Sequence, residues 1–170
     1  MTAEDSHQPE HAHQPDAPQP EPRWLDAEEQ VSWRAYLHGA RLLEVALDAD
    51  LSAHGVSLPE YEILSMLSEA EGQRSRMSAL ADLVVQSRSR MTHTAARLEG
   101  RGLVRREPSR DDGRGVELTL TDRGQETLDR ISRVHIESVR EHFVDLLTPA
   151  QFHSLGEAMA IVREHGRKRQ

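Results

Sequence analysis

The stretch from Ser87 to Leu120 constrains the fold more than any other part of the chain. A short helical pattern, capped by Ser87 and running to about Glu99, meets the glycine pair Gly100 and Gly102 and stops. Two short β patterns follow, Leu103-Val104-Arg105-Arg106 and Val116-Glu117-Leu118-Thr119-Leu120. Between them lies Pro108-Ser109-Arg110-Asp111-Asp112-Gly113-Arg114-Gly115, too rich in turn formers to continue either strand. A helix feeding directly into a hairpin with a basic tip restricts the chain to few architectures.

The flanking segments are helical. From about Asp26 to His54, Trp33, Tyr36, Leu37, Leu43 and Leu47 recur at helical spacing until Gly55. Ser57-Leu58-Pro59-Glu60 reads as a capping box opening a second helix, with Ile63, Leu64 and Leu67 inward and Gly72 as its expected end. Ser78 is expected to cap a short third helix carrying Leu80, Leu83 and Val84. After the hairpin, a fifth helix is expected from Asp122 to about Leu147, with Leu128, Ile131, Val139, Phe143 and Leu146 as its apolar band. Thr148-Pro149-Ala150-Gln151 opens a sixth helix bearing Phe152, Leu155, Met159 and Val162. The reading is therefore a mainly α fold with a small β-hairpin wing: a winged helix-turn-helix between N- and C-terminal helices.

Residues 1–22 form an expected disordered tail, because five prolines, several acids and almost no large apolar side chain cannot offset the entropy of ordering. Residues 23–166 make the domain. Within it, 57–122 is the lobe holding the helix-turn-helix and wing, 26–54 and 123–166 are dimerisation helices, and 167–170 is a basic tail expected to fray. The chain lacks a cationic start followed by an apolar run and any bilayer-length apolar stretch, so a cytoplasmic protein without a membrane partner is expected. The absence of cysteine excludes disulfides, thiolate zinc and thiol redox sensing.

Charge is distributed unevenly. The chain is −8 overall, yet Gln73–Arg123 holds eleven arginines against seven acids, +4, which leaves −12 for the remainder. A basic middle in an acidic chain is the footprint of a local phosphate-binding surface. In the fourth helix Met91, Ala95 and Leu98 share one face, which turns Ser89, His93 and Ala96 outward. Arg90 and Arg97 flank one side of that outer face, and Arg88 and Thr92 the other. A slim outer face edged with donors suits a major groove, where arginine bonds guanine bidentately and Ser, Thr and His reach bases or phosphates. The helix N-terminus at Ser87 adds backbone N–H groups. At the wing, Arg114 is placed for a minor groove with Asp112 steadying its guanidinium, and Arg106 and Arg110 are placed for phosphates. An ordinary solvated helix face is the bland alternative for the fourth helix alone; a core role is nearly closed to Arg114 at a glycine-flanked tip.

These residues carry a resemblance. Met77-Ser78-Ala79-Leu80-Ala81, Ser87-Arg88-Ser89-Arg90-Met91-Thr92, Leu98-Glu99-Gly100-Arg101-Gly102-Leu103-Val104-Arg105-Arg106, Asp111-Asp112-Gly113-Arg114 and Leu120-Thr121-Asp122-Arg123-Gly124 together resemble the MarR family of winged helix-turn-helix regulators, over roughly Asp26 to Arg163. The Asp-x-Arg of that family's wing is here Asp112-Gly113-Arg114. The resemblance implies a homodimer built from the first and last helices. It also implies a pseudo-palindromic double-stranded DNA operator read by helix 87–99 and wing 104–120, and repression of transcription. The family often binds small anionic aromatic effectors between the DNA lobe and the dimer helices. Trp24, Trp33, Tyr36 and His38 are candidates to line such a pocket, or equally to serve as core and dimer anchors.

Alternatives remain open at this point. An architectural DNA binder of low specificity would want a basic excess over the whole chain, which is absent. A winged-helix protein-interaction module would not need Arg114. A metal-responsive regulator would use His135 and His142, seven apart on one face of the fifth helix, with a third ligand from His38, His54 or Glu44; ordinary interface histidines are the simpler account. No nucleophile motif, phosphate loop or paired-carboxylate constellation is present, so neither an enzyme nor a cofactor is expected.

Overall fold

The computed structural model describes residues 21–84, 87–109 and 115–168. The expectations for the tail at residues 1–20, and for Arg110, Asp112 and Arg114, lie outside the described residues. The chain divides into two compact units, residues 1–35 and 36–170. The boundary falls inside the first helix, α1 (Ala27–Ala53).

In the first unit, Asp26 and Glu29 start α1 reciprocally: Asp26 N–H donates to Glu29 Oε2 at 3.0 Å and Glu29 N–H to Asp26 Oδ1 at 2.8 Å. In the second unit α1 ends where Gly55 takes φ 81° and Val56 N–H folds back onto the Leu51 carbonyl.

α2 (Leu58–Glu69) opens at the expected capping box, of which the Glu60 half is made, its Oε2 accepting the Ser57 N–H at 3.0 Å, while Ser57 Oγ has no hydrogen-bond partner among the described residues. It ends three residues before Gly72. Ala70 is extended, and a 3₁₀ turn at Glu71–Gln73, with Gly72 at φ 63° and Gln73 at φ 53°, redirects the chain. The turn delivers a strand that the sequence reading omits, β1 (Arg74–Arg76). Because β1 leaves Arg76 extended, α3 (Met77–Leu83) starts directly after it; Ser78 lies inside the first turn and does not cap.

α4 (Arg88–Gly100) is capped as expected, Ser87 Oγ accepting the Arg90 N–H at 3.3 Å. Gly102, at φ 70°, closes it by returning its N–H to the Glu99 carbonyl, while Leu103 N–H returns to Leu98. β2 (Val104–Pro108) and β3 (Val116–Leu120) then pair antiparallel, Val104 opposite Leu120 and Pro108 opposite Val116. The sheet has three strands in the order β1-β3-β2, so β3 is central, with Ser75 opposite Leu118.

α5 (Asp122–His142) is capped by Thr121, whose Oγ1 accepts the Gly124 N–H at 3.0 Å. A Cβ on Gly124 would lie 2.1 Å from the Leu103 carbonyl oxygen and 2.7 Å from Leu120 Cδ1. Only glycine lets α5 start this close to the hairpin. The helix does not reach Leu147: Phe143, at φ −144° and ψ −64°, breaks it, and a 3₁₀ turn at Val144–Leu146 leads to α6 (Pro149–Arg167). There Thr148 and Gln151 form the second expected capping box.

The core sits in the lobe. Ile63, Leu64 and Leu67 of α2 meet Leu80 of α3, Met91, Ala95 and Leu98 of α4, and Leu103, Val104, Leu118 and Leu120 of the hairpin. α5 joins through Leu128 and Ile131, and α1 through Leu51. No residue of α6 is buried among those described, and Leu42, Val45, Phe152, Ile161 and Val162 are exposed. Among the described residues no helix is long and apolar enough to cross a membrane.

Candidate nucleic-acid interface

α4 is divided lengthwise. Met91, Thr94, Ala95 and Leu98 are buried, whereas Arg88, Ser89, Arg90, Thr92, His93, Ala96 and Arg97 are exposed. The expected inner face is observed, widened by Thr94, whose hydroxyl satisfies itself on the Arg90 carbonyl at 3.0 Å. Thr92 spends its proton likewise on the Arg88 carbonyl at 2.9 Å, which leaves its oxygen an acceptor. Arg88, Arg90 and His93 have no ion-pair partner among the described residues.

The two edges of α4 border different clefts. On one edge Arg88 and Thr92 share a cleft of about 840 Å³ with Arg106 of β2, Ser78 of α3 and Arg76. Three arginines and one acid, Glu107, stand on its walls, a net positive lining of the kind that attracts phosphate. Arg76 lines this cleft, although the sequence reading counts it only as a charge. Its place becomes visible once β1 is known to run alongside β3. On the other edge Ser87, Ser89, Arg90, His93 and Arg97 border a cleft of about 900 Å³ whose far wall is Glu44 and Asp48 of α1 and the start of α2. That edge is mixed in charge. Trp24, Trp33, Tyr36 and His38 do not line it.

Two of the candidate arginines are engaged. Arg106 grips Glu99 twice, Nε to Oε2 at 2.6 Å and its backbone N–H to Oε1 at 3.0 Å. These bonds hold the Glu99 carboxyl below the usual carboxylate range. The pair ties the wing's first strand to the end of α4, and the Arg106 side chain stays about one-third exposed (36%), within reach of the cleft. Arg97 Nε lies 3.3 Å from Glu60 Oε1, and Arg101 lies 3.2 Å from Glu60 Oε2. Glu60, read from the sequence only as half of a capping box, is therefore also the acid that receives the last turns of α4.

His135 and His142 are drawn to different neighbours. His135 stacks on Tyr61 of α2, ring centroids 4.2 Å apart, with burial lowering its pKa and no partner at Nδ1. His142 Nε2 lies 3.1 Å from Asp50 Oδ2 of α1, which also accepts the Ser138 hydroxyl. The Ser138 bond lowers the Asp50 pKa most; desolvation opposes it, and the His142 bond and charge and the His54 charge add to the lowering, which prevails. Among the described residues no group of three or more His, Asp or Glu side chains is placed to hold a metal ion.

Comparison with known proteins gives one answer. Residues 54–115 match the model of the MarR family. AbsC, a MarR family transcriptional regulator from Streptomyces coelicolor, is 44% identical, with 86% of this chain and 99% of AbsC covered and a TM-score of 0.80. Sco3205, a MarR family regulator of the same organism solved in complex with DNA, is 46% identical over 85% of this chain and 91% of its own, with a TM-score of 0.81. The HTH-type transcriptional regulator PecS of Dickeya dadantii (strain 3937) is 31% identical over 109 residues, and the match spans 64% of this chain and 63% of PecS.

Proposed function

Because the chain belongs to the MarR family of transcriptional regulators, we propose that it acts as a homodimeric repressor, laying α4 of each subunit into successive major grooves of a pseudo-palindromic operator. The observation that carries this reading is the lengthwise division of α4. Its inner face is buried in the core, while Arg88, Ser89, Arg90, Thr92 and His93 stand exposed across the outer face and its two edges. In this assignment Ser89, Arg90 and His93 read base edges and Arg88 and Thr92 span base edge and backbone. Arg106 and Arg76 line the phosphate cleft, Ser87 presents the helix N-terminus, and Arg110, Asp112 and Arg114 serve at the wing. A two-fold dimer sets the two half-sites about one helical turn apart. The protein works in the cytoplasm, where its DNA lies.

The cleft bounded by Glu44, Asp48, Arg90, His93 and Arg97 is the proposed effector site. A small molecule seated there touches α1 and α4 together, so its binding free energy couples to the position of α4.

The test is binding to the DNA upstream of the protein's own coding sequence, at physiological salt, with excess non-specific competitor. Competitor-resistant binding supports the operator reading. Binding that competitor erases favours an architectural role, and no binding at any salt favours a protein-interaction module.

A further inference from the structure

Apolar packing holds the inner face of α4 against the lobe. The inner face is Met91, Thr94, Ala95 and Leu98, and contacts among such side chains are non-directional. Rotation nevertheless decides what α4 can read. At a side-chain radius of about 6 Å, a turn of roughly 20° moves a tip by about 2 Å, more than a hydrogen bond tolerates.

Directed bonds come from two carboxylates: Glu99 binds Arg106 of β2, and Glu60 of α2 meets Arg97 and Arg101. Glu60, only 5% exposed, accepts the Ser57 N–H at 3.0 Å and an Arg101 guanidinium N–H at 3.2 Å, and it forms an ion pair with Arg97, whose Nε lies 3.3 Å from Oε1. Arg97 and Arg101 stand one turn apart on the same edge of α4 and its C-cap. One charge-assisted hydrogen bond and one ion pair reach a single buried carboxylate from the same edge, and two such attachments one turn apart resist rotation of the helix over α2. The acceptor is itself held. Glu60 is bound to its own helix start, and the Leu58 N–H beside it donates to Asp48 Oδ1 of α1 at 2.7 Å. The first turn of α2 is thus the point where α1, α2 and α4 are pinned together.

We propose that Glu60 is a positioning residue for operator recognition: through Arg97 and Arg101 it sets the rotation of α4, and Arg97 serves this carboxylate rather than the DNA. The inference rests on α4 being the helix that reads DNA. It reassigns one residue from the outer face and adds one, Glu60, that never touches DNA.

The test uses the full chain and a duplex enriched by it from a random library of about three helical turns, roughly 30 bp, beside a scrambled duplex of equal length. Glu60→Gln keeps an amide oxygen able to complete the capping box and removes the charge. It should weaken binding to the enriched duplex about tenfold, leave binding to the scrambled duplex unchanged, and leave the salt dependence of binding unchanged. Arg97→Gln should reproduce that pattern, and the double variant should lose no more than either single one. Arg97 is 60% exposed, so its variant carries the test should Glu60→Gln fail to fold. Equal losses on both duplexes, or a lowered melting temperature with binding intact, overturn the proposal by showing a merely structural ion pair. A salt slope reduced by about one per subunit in Arg97→Gln overturns it by placing Arg97 on a phosphate. Failure of the unaltered chain to enrich any duplex overturns the operator reading itself, and that is seen before any variant is made.

Discussion

The lobe and the helices around it treat their apolar residues in opposite ways. In the lobe Ile63, Leu64, Leu67, Leu80, Leu98 and Leu118 are completely buried. Along α1 and α6, Leu42 is 70% exposed, Val45 66%, Ile161 72% and Val162 60%. Both patterns arise from helices with apolar residues at helical spacing. The difference lies in what is available to cover them. The lobe closes upon itself, because three helices, a hairpin and the first turns of α5 enclose a common interior. α1 and α6 carry apolar side chains that one copy of the chain leaves facing water, and exposure of that kind marks an association surface. In the proposed reading the lobe meets DNA and the outer helices supply the symmetry that makes the reading bipartite.

Four experiments separate these two regions. Leu64→Ala empties a fully buried site and should cost about 2–5 kcal/mol in denaturant unfolding; a smaller loss would show a lobe core looser than its burial indicates. Leu42→Glu or Ile161→Glu places charge on an exposed face, so the subunit should stay folded. Light scattering should then report a monomer, with operator affinity lowered about 100-fold or more as the half-sites become unlinked. Gly124→Ala pushes a methyl onto the Leu103 carbonyl and should cost about 1–3 kcal/mol, read as a lowered Tm with the dimer intact. His135 gives the smallest effect, a pH dependence. Burial lowers its pKa in the folded state, so below the ordinary value of about 6.5 the unfolded chain binds the proton more readily. Stability should then fall as pH drops through about 6.5 and level off below the folded-state value. His135→Phe should flatten the Tm profile between about pH 7.5 and 5.5. Asp50 acts in a separate, more acidic window: its pKa is lowered, so its contribution is present above the ordinary carboxylate value and disappears as pH falls through the depressed one.

Most of the architecture was legible because local chemistry announces it. The Ser57, Ser87 and Thr148 caps, the stops at Gly55 and Gly102, and the inner face Met91–Ala95–Leu98 all follow from short-range pattern. What escaped depends on distant partners. β1 is Arg-Ser-Arg, with no apolar alternation, and it is a strand only because β3 offers an unpaired edge. The break at Phe143 leaves the apolar period of α5 undisturbed and carries neither proline nor glycine. In the site, the exposed outer face of α4 was legible from its periodicity. The engagement of Arg97 was not, because Glu60 lies 37 positions earlier in the chain and its second partner, Arg101, lies 41 away.

Hydroxyl-radical footprinting of the full-length protein on its upstream DNA, with competitor present and stoichiometry measured in parallel, tests the central claim most directly. The account predicts two protected patches about one helical turn apart on one face of the duplex, occupied by a single dimer. A uniform ladder of weak protection, or one patch bound by a monomer, would contradict it.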